Sequence, residues 1–73
     1  MLRTIEKERI RARSDEGKEF TIIVYQDMIN PMDGSESFPG DQRFFISGGK
    51  ELFILNQHTF QVYGSDEIFH EIL

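Results

Sequence analysis

Apolar and polar residues alternate along much of this chain with the two-residue period of strands. The run ELFILNQHTFQVYGSDEIFHEIL, Glu51–Leu73, is the densest apolar stretch, and turn signals cut it into strand-length pieces. In Glu51–Leu55, Leu52 and Ile54 fall on one face, Phe53 and Leu55 on the other. Asn56-Gln57-His58 then reverses the chain. Thr59–Tyr63 follows with Phe60 and Val62 inward and Thr59, Gln61 and Tyr63 on a more polar face. Ahead of this run, Arg43–Ser47 enters a hairpin through Ser47-Gly48-Gly49-Lys50, where glycine relieves the steric cost of positive φ. The last residues admit two readings. Ser65 would cap a helix with Asp66 and Glu67 near its positive end. Alternatively, Ile68, His70 and Ile72 alternate against Phe69, Glu71 and Leu73 as a strand, which would turn His70 inward. So short a helix is marginal without tertiary support, and Gly64-Ser65-Asp66 can close a hairpin, so a final strand is preferred.

The first residues are also double-valued. Leu2, Ile5, Glu6, Arg9 and Ile10 trace a helical surface, whereas Arg9, Arg11 and Arg13 alternate with Ile10 and Ala12 as in a half-buried strand. A hairpin is preferred, Glu8–Ser14 with Lys18–Gln26, turning at Asp15-Glu16-Gly17-Lys18. It sets the three arginines on one face, away from Ile10 and Ala12. In the second strand, Phe20, Ile22 and Val24 oppose Thr21, Ile23 and Tyr25, and both faces are apolar enough for a central strand or a subunit contact. Residues 26–42 contain both prolines, two of the six glycines, and Asp27, Asp33, Glu36 and Asp41. They read as an acidic loop, with Met28, Ile29, Met32 and Phe38 folding part of it over an open end of the sheet. The expectation is one small all-β domain over residues 1–73. It would be an antiparallel meander that can curl into a partly open SH3-like barrel, with a short terminal helix as the alternative for its end.

Charge adds an asymmetry. The net charge is −5, yet residues 1–13 carry +3 and the remainder −8. The overall field weakens attraction to nucleic acid and anionic membranes. A basic edge beside an acidic body instead permits self-association or a docking patch. There are seven Phe and two Tyr but no Trp and no Cys, so disulfides are excluded and the aromatics are available for a core. No apolar run approaches the roughly 18–20 residues of a bilayer span, and MLRTIEKERI lacks a secretory apolar segment. A cytoplasmic protein without membrane association is expected.

Candidate chemistry is sparse. His58 and His70 are far apart in sequence, no cysteine accompanies them, and the acidic loop lacks the ligand spacing of a calcium loop. No nucleophile elbow, phosphate-binding glycine loop or metalloprotease motif occurs. Neither enzymatic activity nor a metal or cofactor is therefore expected. The preferred role is a protein-interaction or self-associating module, with a protein partner or a second copy bound. The alternative is a small nucleic-acid-associated barrel using the Arg9, Arg11 and Arg13 face. Candidate interaction residues are Arg9, Arg11, Arg13, Tyr25, Gln26, Asp27, Phe53 and Tyr63, with Phe45 and Phe69 the other aromatics to place.

Val24-Tyr25-Gln26-Asp27-Met28-Ile29 and the later Thr59-Phe60-Gln61-Val62 resemble an uncharacterised family of small bacterial proteins. In that family a YQD-x-I segment precedes a glycine hairpin, a TF-x-V strand and an acidic turn. Tyr25, Gln26, Asp27 and Ile29 match the first motif, Gly48 or Gly49 the hairpin, and Thr59, Phe60, Val62 and Glu67 the last part. The resemblance implies a hairpin, a variable loop and a meander, and brings no catalytic residues. It implies a shared structural or binding role for Tyr25, Gln26 and Asp27. The sequence departs from it at Tyr63-Gly64-Ser65-Asp66, near the last turn.

Overall fold

A computed structural model describes residues 2–73. Six strands follow in order: β1 Leu2–Ser14, β2 Glu19–Ile29, β3 Phe38–Ile46, β4 Glu51–Asn56, β5 Thr59–Val62 and β6 Ile68–Glu71. Each pairs antiparallel with the next, and β6 pairs back onto β1, so the meander closes into a barrel. Closure satisfies the sheet edges at this end of the molecule. The last element is a strand, as its alternation predicts, and the helical alternative is not adopted.

Two sequence-based boundaries need correction. The first strand begins at Leu2 rather than Glu8. Its alternation is broken between Glu6 and Glu8, where the register against β2 slips by one residue at a β-bulge. The slip puts Ile5 opposite Gln26 and Ile10 opposite Ile22, on one face although five positions apart. That odd spacing is what imitates helical periodicity. The acidic loop is also shorter than 26–42, because Gln26–Ile29 belongs to β2 and Phe38–Gln42 to β3. A second register shift, between Gln26 and Met28, sets Gly40 and Asp41 against Asp27. The connecting residues 30–37 do not cover the sheet: Met32 is fully exposed and Phe38 is 48% exposed.

The inward-facing side chains behave as the two-residue period requires. Ala12, Ile22, Leu52, Phe60, Val62 and Phe69 form the buried core, with Ile10, Phe20, Phe44 and Ile46 packed against it. Phe69 meets Phe20 edge-on at 5.0 Å, and Phe60 meets Phe44 at 5.5 Å between ring centroids. Full burial of Ile22, Leu52, Phe60, Val62 and Phe69 stabilises the fold by about 1.5–3 kcal/mol for each side chain relative to exposure. The β3–β4 turn carries Gly48 at φ 76°, in the left-handed region that glycine enters freely.

This core fills only part of the molecule. The principal extents are 49 × 25 × 23 Å and the radius of gyration is 14.3 Å, against about 11 Å for a compact chain of this length. β4 reaches β3 only at Phe44 and Phe45, and β6 reaches β1 only at Ala12, Arg13 and Ser14. Beyond these pairings, the start of β1, the end of β2 and the start of β3 project as a three-stranded arm, one layer thick. The edge of β1 over residues 2–10 has no partner strand among the described residues.

Candidate functional site

Where the arm leaves the barrel, its outer face carries a shallow groove. Its floor follows from register, because Arg9, Ile23, Phe45 and Glu51 lie side by side on successive strands. The next row holds Glu6, Tyr25 and Arg43, and the row after it Thr4 and Asp27. Thr4, Ile23, Tyr25, Arg43 and Phe45 line a space of about 370 Å³ that the β3–β4 turn bounds at Gly48 and Gly49. Tyr25 stands edge-on to Phe45 at 5.7 Å. Ile23 points away from the core yet is buried, which accounts for the apolar second face of β2.

The deep end of this surface is polar. Asp27 is only 4% exposed. Thr4 Oγ1 donates to its Oδ1 at 2.8 Å, and Arg43 Nη2 donates to its Oδ2 at 2.9 Å. The Thr4 hydroxyl, and then the hydrogen bond and charge of Arg43, hold the carboxyl below its ordinary pKa against the opposing effect of desolvation. On the opposite face, Gln26 closes the bulge. Its Nε2 donates to the carbonyls of Asp27 and Gly40 at 3.0 Å and of Asp41 at 3.3 Å. Gln42 Nε2 donates to Gln26 Oε1 at 3.1 Å. These bonds supply partners for peptide groups that the interrupted ladder leaves over.

The structure thus divides the predicted residues. Tyr25 lines the groove, Asp27 lies buried behind its lining residues Thr4 and Arg43 and bonds both, and Arg9 flanks the groove. Gln26 faces the other way and is a structural brace. Arg9, Arg11 and Arg13 do share the outer face of β1, opposite Ile23, Thr21 and Glu19, but each meets a carboxylate. Arg9 donates from Nε and Nη2 to Glu6 at 3.2 Å, and this pairing raises the Arg9 pKa. Arg11 pairs with Glu19, and Arg13 lies 4.0 Å from the same carboxylate. Phe53 and Tyr63 form a separate patch with ring centroids 4.8 Å apart and Tyr63 59% exposed. Glu51 separates that patch from Phe45 and accepts the Tyr63 N–H at its carbonyl, 3.1 Å away. Phe69 is core.

His70 corrects the inward placement. It is exposed, with Nε2 3.1 Å from Asp15 Oδ1, while His58 Nδ1 lies 3.1 Å from Glu71 Oε1. Each histidine therefore meets a different carboxylate. A wider hollow of about 450 Å³ opens at the barrel mouth beside the free edge of β1, where Glu8 and Glu71 stand around Ile10, Phe44, Ile54 and Phe60. Among the described residues, no group of three or more His, Asp or Glu is placed to hold a metal ion.

Thr4, Ile23 and Arg43 were not singled out by sequence. Thr4 precedes the bulge that hides the start of β1, and Arg43 reaches Asp27 only because both flanks of the acidic segment are strands. Ile23 left a trace in the apolarity of both faces of β2. No family model, curated protein or solved structure matches this chain, so the geometry alone carries the functional argument.

Proposed function

We propose that this chain is a protein-recognition module in which the barrel is the scaffold and the arm is the binding element. The observation that carries this reading is the arm itself. It extends two bulged strands and part of a third past the core, leaves a strand edge unpaired, and keeps Ile5, Phe38 and Met32 exposed at 40%, 48% and 100%. Unpaired edges and exposed apolar side chains are the features through which sheets take up additional chain. The groove beside Tyr25 and Phe45 offers an apolar seat for one partner side chain, with the Asp27–Arg43 pair at its margin.

The nucleic-acid alternative is the weaker one on these observations. Its three arginines are already engaged by Glu6 and Glu19, and the net charge is −5. Such a field opposes the phosphate contacts that dominate affinity.

Site-specific photocrosslinking tests the reading. A photoreactive phenylalanine analogue placed at Phe38 or Phe45 should give discrete protein adducts in cells. The same analogue at Glu16 or Asp66, in turns remote from the arm, should give none. Equal labelling from all four positions, or none from the first two, would overturn the proposal.

A further inference from the structure

The unpaired edge of β1 carries a sequence that is its own complement. Ile5-Glu6-Lys7-Glu8-Arg9-Ile10, laid antiparallel on a second copy with Ile5 opposite Ile10, sets Glu6 against Arg9 and Lys7 against Glu8. Every charge meets its opposite, and the isoleucines meet each other. A regular strand could not use this register. Directly opposed residues of two-fold related strands share a face, and positions five apart in an alternating strand do not.

The bulge at Lys7 removes that obstacle. Because the register slips there, Ile5 and Ile10 face inward with Gln26 and Ile22, while Glu6 and Arg9 face outward with Tyr25 and Ile23. The backbone phase agrees. The Ser14 N–H bonds the Lys18 carbonyl across the hairpin at 2.8 Å, and the Arg11 carbonyl accepts from Ile72 on the other edge at 2.9 Å. By alternation Arg9 also directs its peptide groups to the outer edge, and past the bulge so does Glu6. Within Ile5–Ile10, the two residues that the charge pattern pairs are therefore the two that direct their peptide groups to the edge with no partner strand among the described residues.

We propose that a second copy of this chain docks antiparallel on the edge of β1 over Ile5–Ile10, the stretch that β6 leaves open, so that the two arms share one sheet there while Leu2–Thr4 of each copy turns aside from Ile72 and β6, which hold the other copy's edge from Arg11 onward. This rests on the recognition-module reading and names its partner. Consecutive charges and a bulge ordinarily keep stray strands off an edge. Here the same devices reject strands of any other charge order and admit this one, so they act as specificity. The two intrachain Arg9–Glu6 pairs, one in each copy and with side chains 61% and 44% exposed, exchange for two intermolecular pairs and leave no charge unmatched. Ile5 comes against Ile10 at the barrel mouth of the other copy.

Sedimentation of the full chain over a range of concentrations, at low salt, is the test. The mass should rise from 8.6 kDa toward twice that value. Glu6→Arg and Arg9→Glu each oppose like charges twice and should weaken pairing roughly tenfold or more. An equimolar mixture of the two variants should pair again, and so should the chain carrying both substitutions. Circular dichroism melts report whether each variant is folded. A folded wild type of single-chain mass throughout, a dimer indifferent to either reversal, or single variants that pair as well alone as mixed would each overturn the proposal. Any of these results with crosslinks from Phe38 to a different protein leaves the recognition reading standing, and loss of those crosslinks as well removes both.

Discussion

Within the single strand β2, Ile22 is buried in an apolar core with Leu52, Phe60 and Phe69, whereas Gln26 and Asp27, 7% and 4% exposed, sit in a segment with no second layer. The barrel half is held by side chains removed from water. The arm half is held by hydrogen bonds made at two bulges. The first kind of stabilisation is large and indifferent to pH, and the second is smaller, directional and bound to particular partners. Segments with few buried apolar contacts open most readily and are where binding elements are drawn from. This difference is what supports the proposal that one half is scaffold and the other recognition.

The contrast is broken most directly by substitution on either side of it. Phe60→Ala should destabilise the chain by about 3–5 kcal/mol in urea unfolding, a large share of what so small a domain possesses. Phe38→Ser in the arm should change stability by no more than about 0.5 kcal/mol while abolishing the adducts formed by the analogue at Phe45. Comparable losses from both would mean that arm and barrel are one energetic unit.

Gln26→Ala should have an intermediate effect, about 1–3 kcal/mol, because it leaves the bulge carbonyls short of a donor. Its signature is local. Amide exchange should accelerate in Tyr25–Ile29 and Phe38–Gln42 while the amides of β5 and β6 keep their relative order of protection. Uniform acceleration would show that the brace serves the barrel instead.

Acid sharpens the same boundary. Asp27 is held below its ordinary pKa of 3.8 in the folded chain, so its ionised form stabilises the arm. That contribution is full above the unfolded value and is lost as pH falls below it through the lower folded value. Arm amides should therefore lose protection on acidification below about pH 4. In Asp27→Asn this acid-dependent step should be missing, leaving the arm weaker at neutral pH. A step of unchanged size would assign it to other carboxylates. The smallest effect is expected from Gly40→Ala. Its new Cβ would lie 3.2 Å from Ile29 Cδ1, the end of a side chain that can move, so the change should stay near about 0.5 kcal/mol and appear mainly as a shifted Ile29 methyl resonance.

The same division governs what the residue pattern discloses. In Phe20–Val24 and Leu52–Val62 the inner-face residues Phe20, Ile22 and Val24, and Leu52, Phe60 and Val62, recur at even spacings. The one register shift between β4 and β5 lies beside their turn, between Ile54 and Asn56, so the barrel strands are legible. The arm breaks that period at Lys7, and again where Gly40 and Asp41 oppose Asp27. Its first strand therefore imitates a helix, and its second pairing imitates a loop. Tyr25 and Asp27 stand out as residue types, but their neighbours Thr4 and Arg43 are set by register across those bulges. Gln26 stands beside them in sequence and points to the other face, because adjacent strand residues do.

The central claim, that the arm is a binding edge that pairs with its own copy, reduces to the amides of Glu6 and Arg9. Residue-resolved hydrogen exchange of the native chain at low and high concentration measures them directly. The account predicts fast exchange at both amides when dilute and marked slowing when concentrated, with the amides of β5 unchanged. Equal rates for Glu6 and Arg9 at both concentrations, under conditions where the chain is folded, would contradict it.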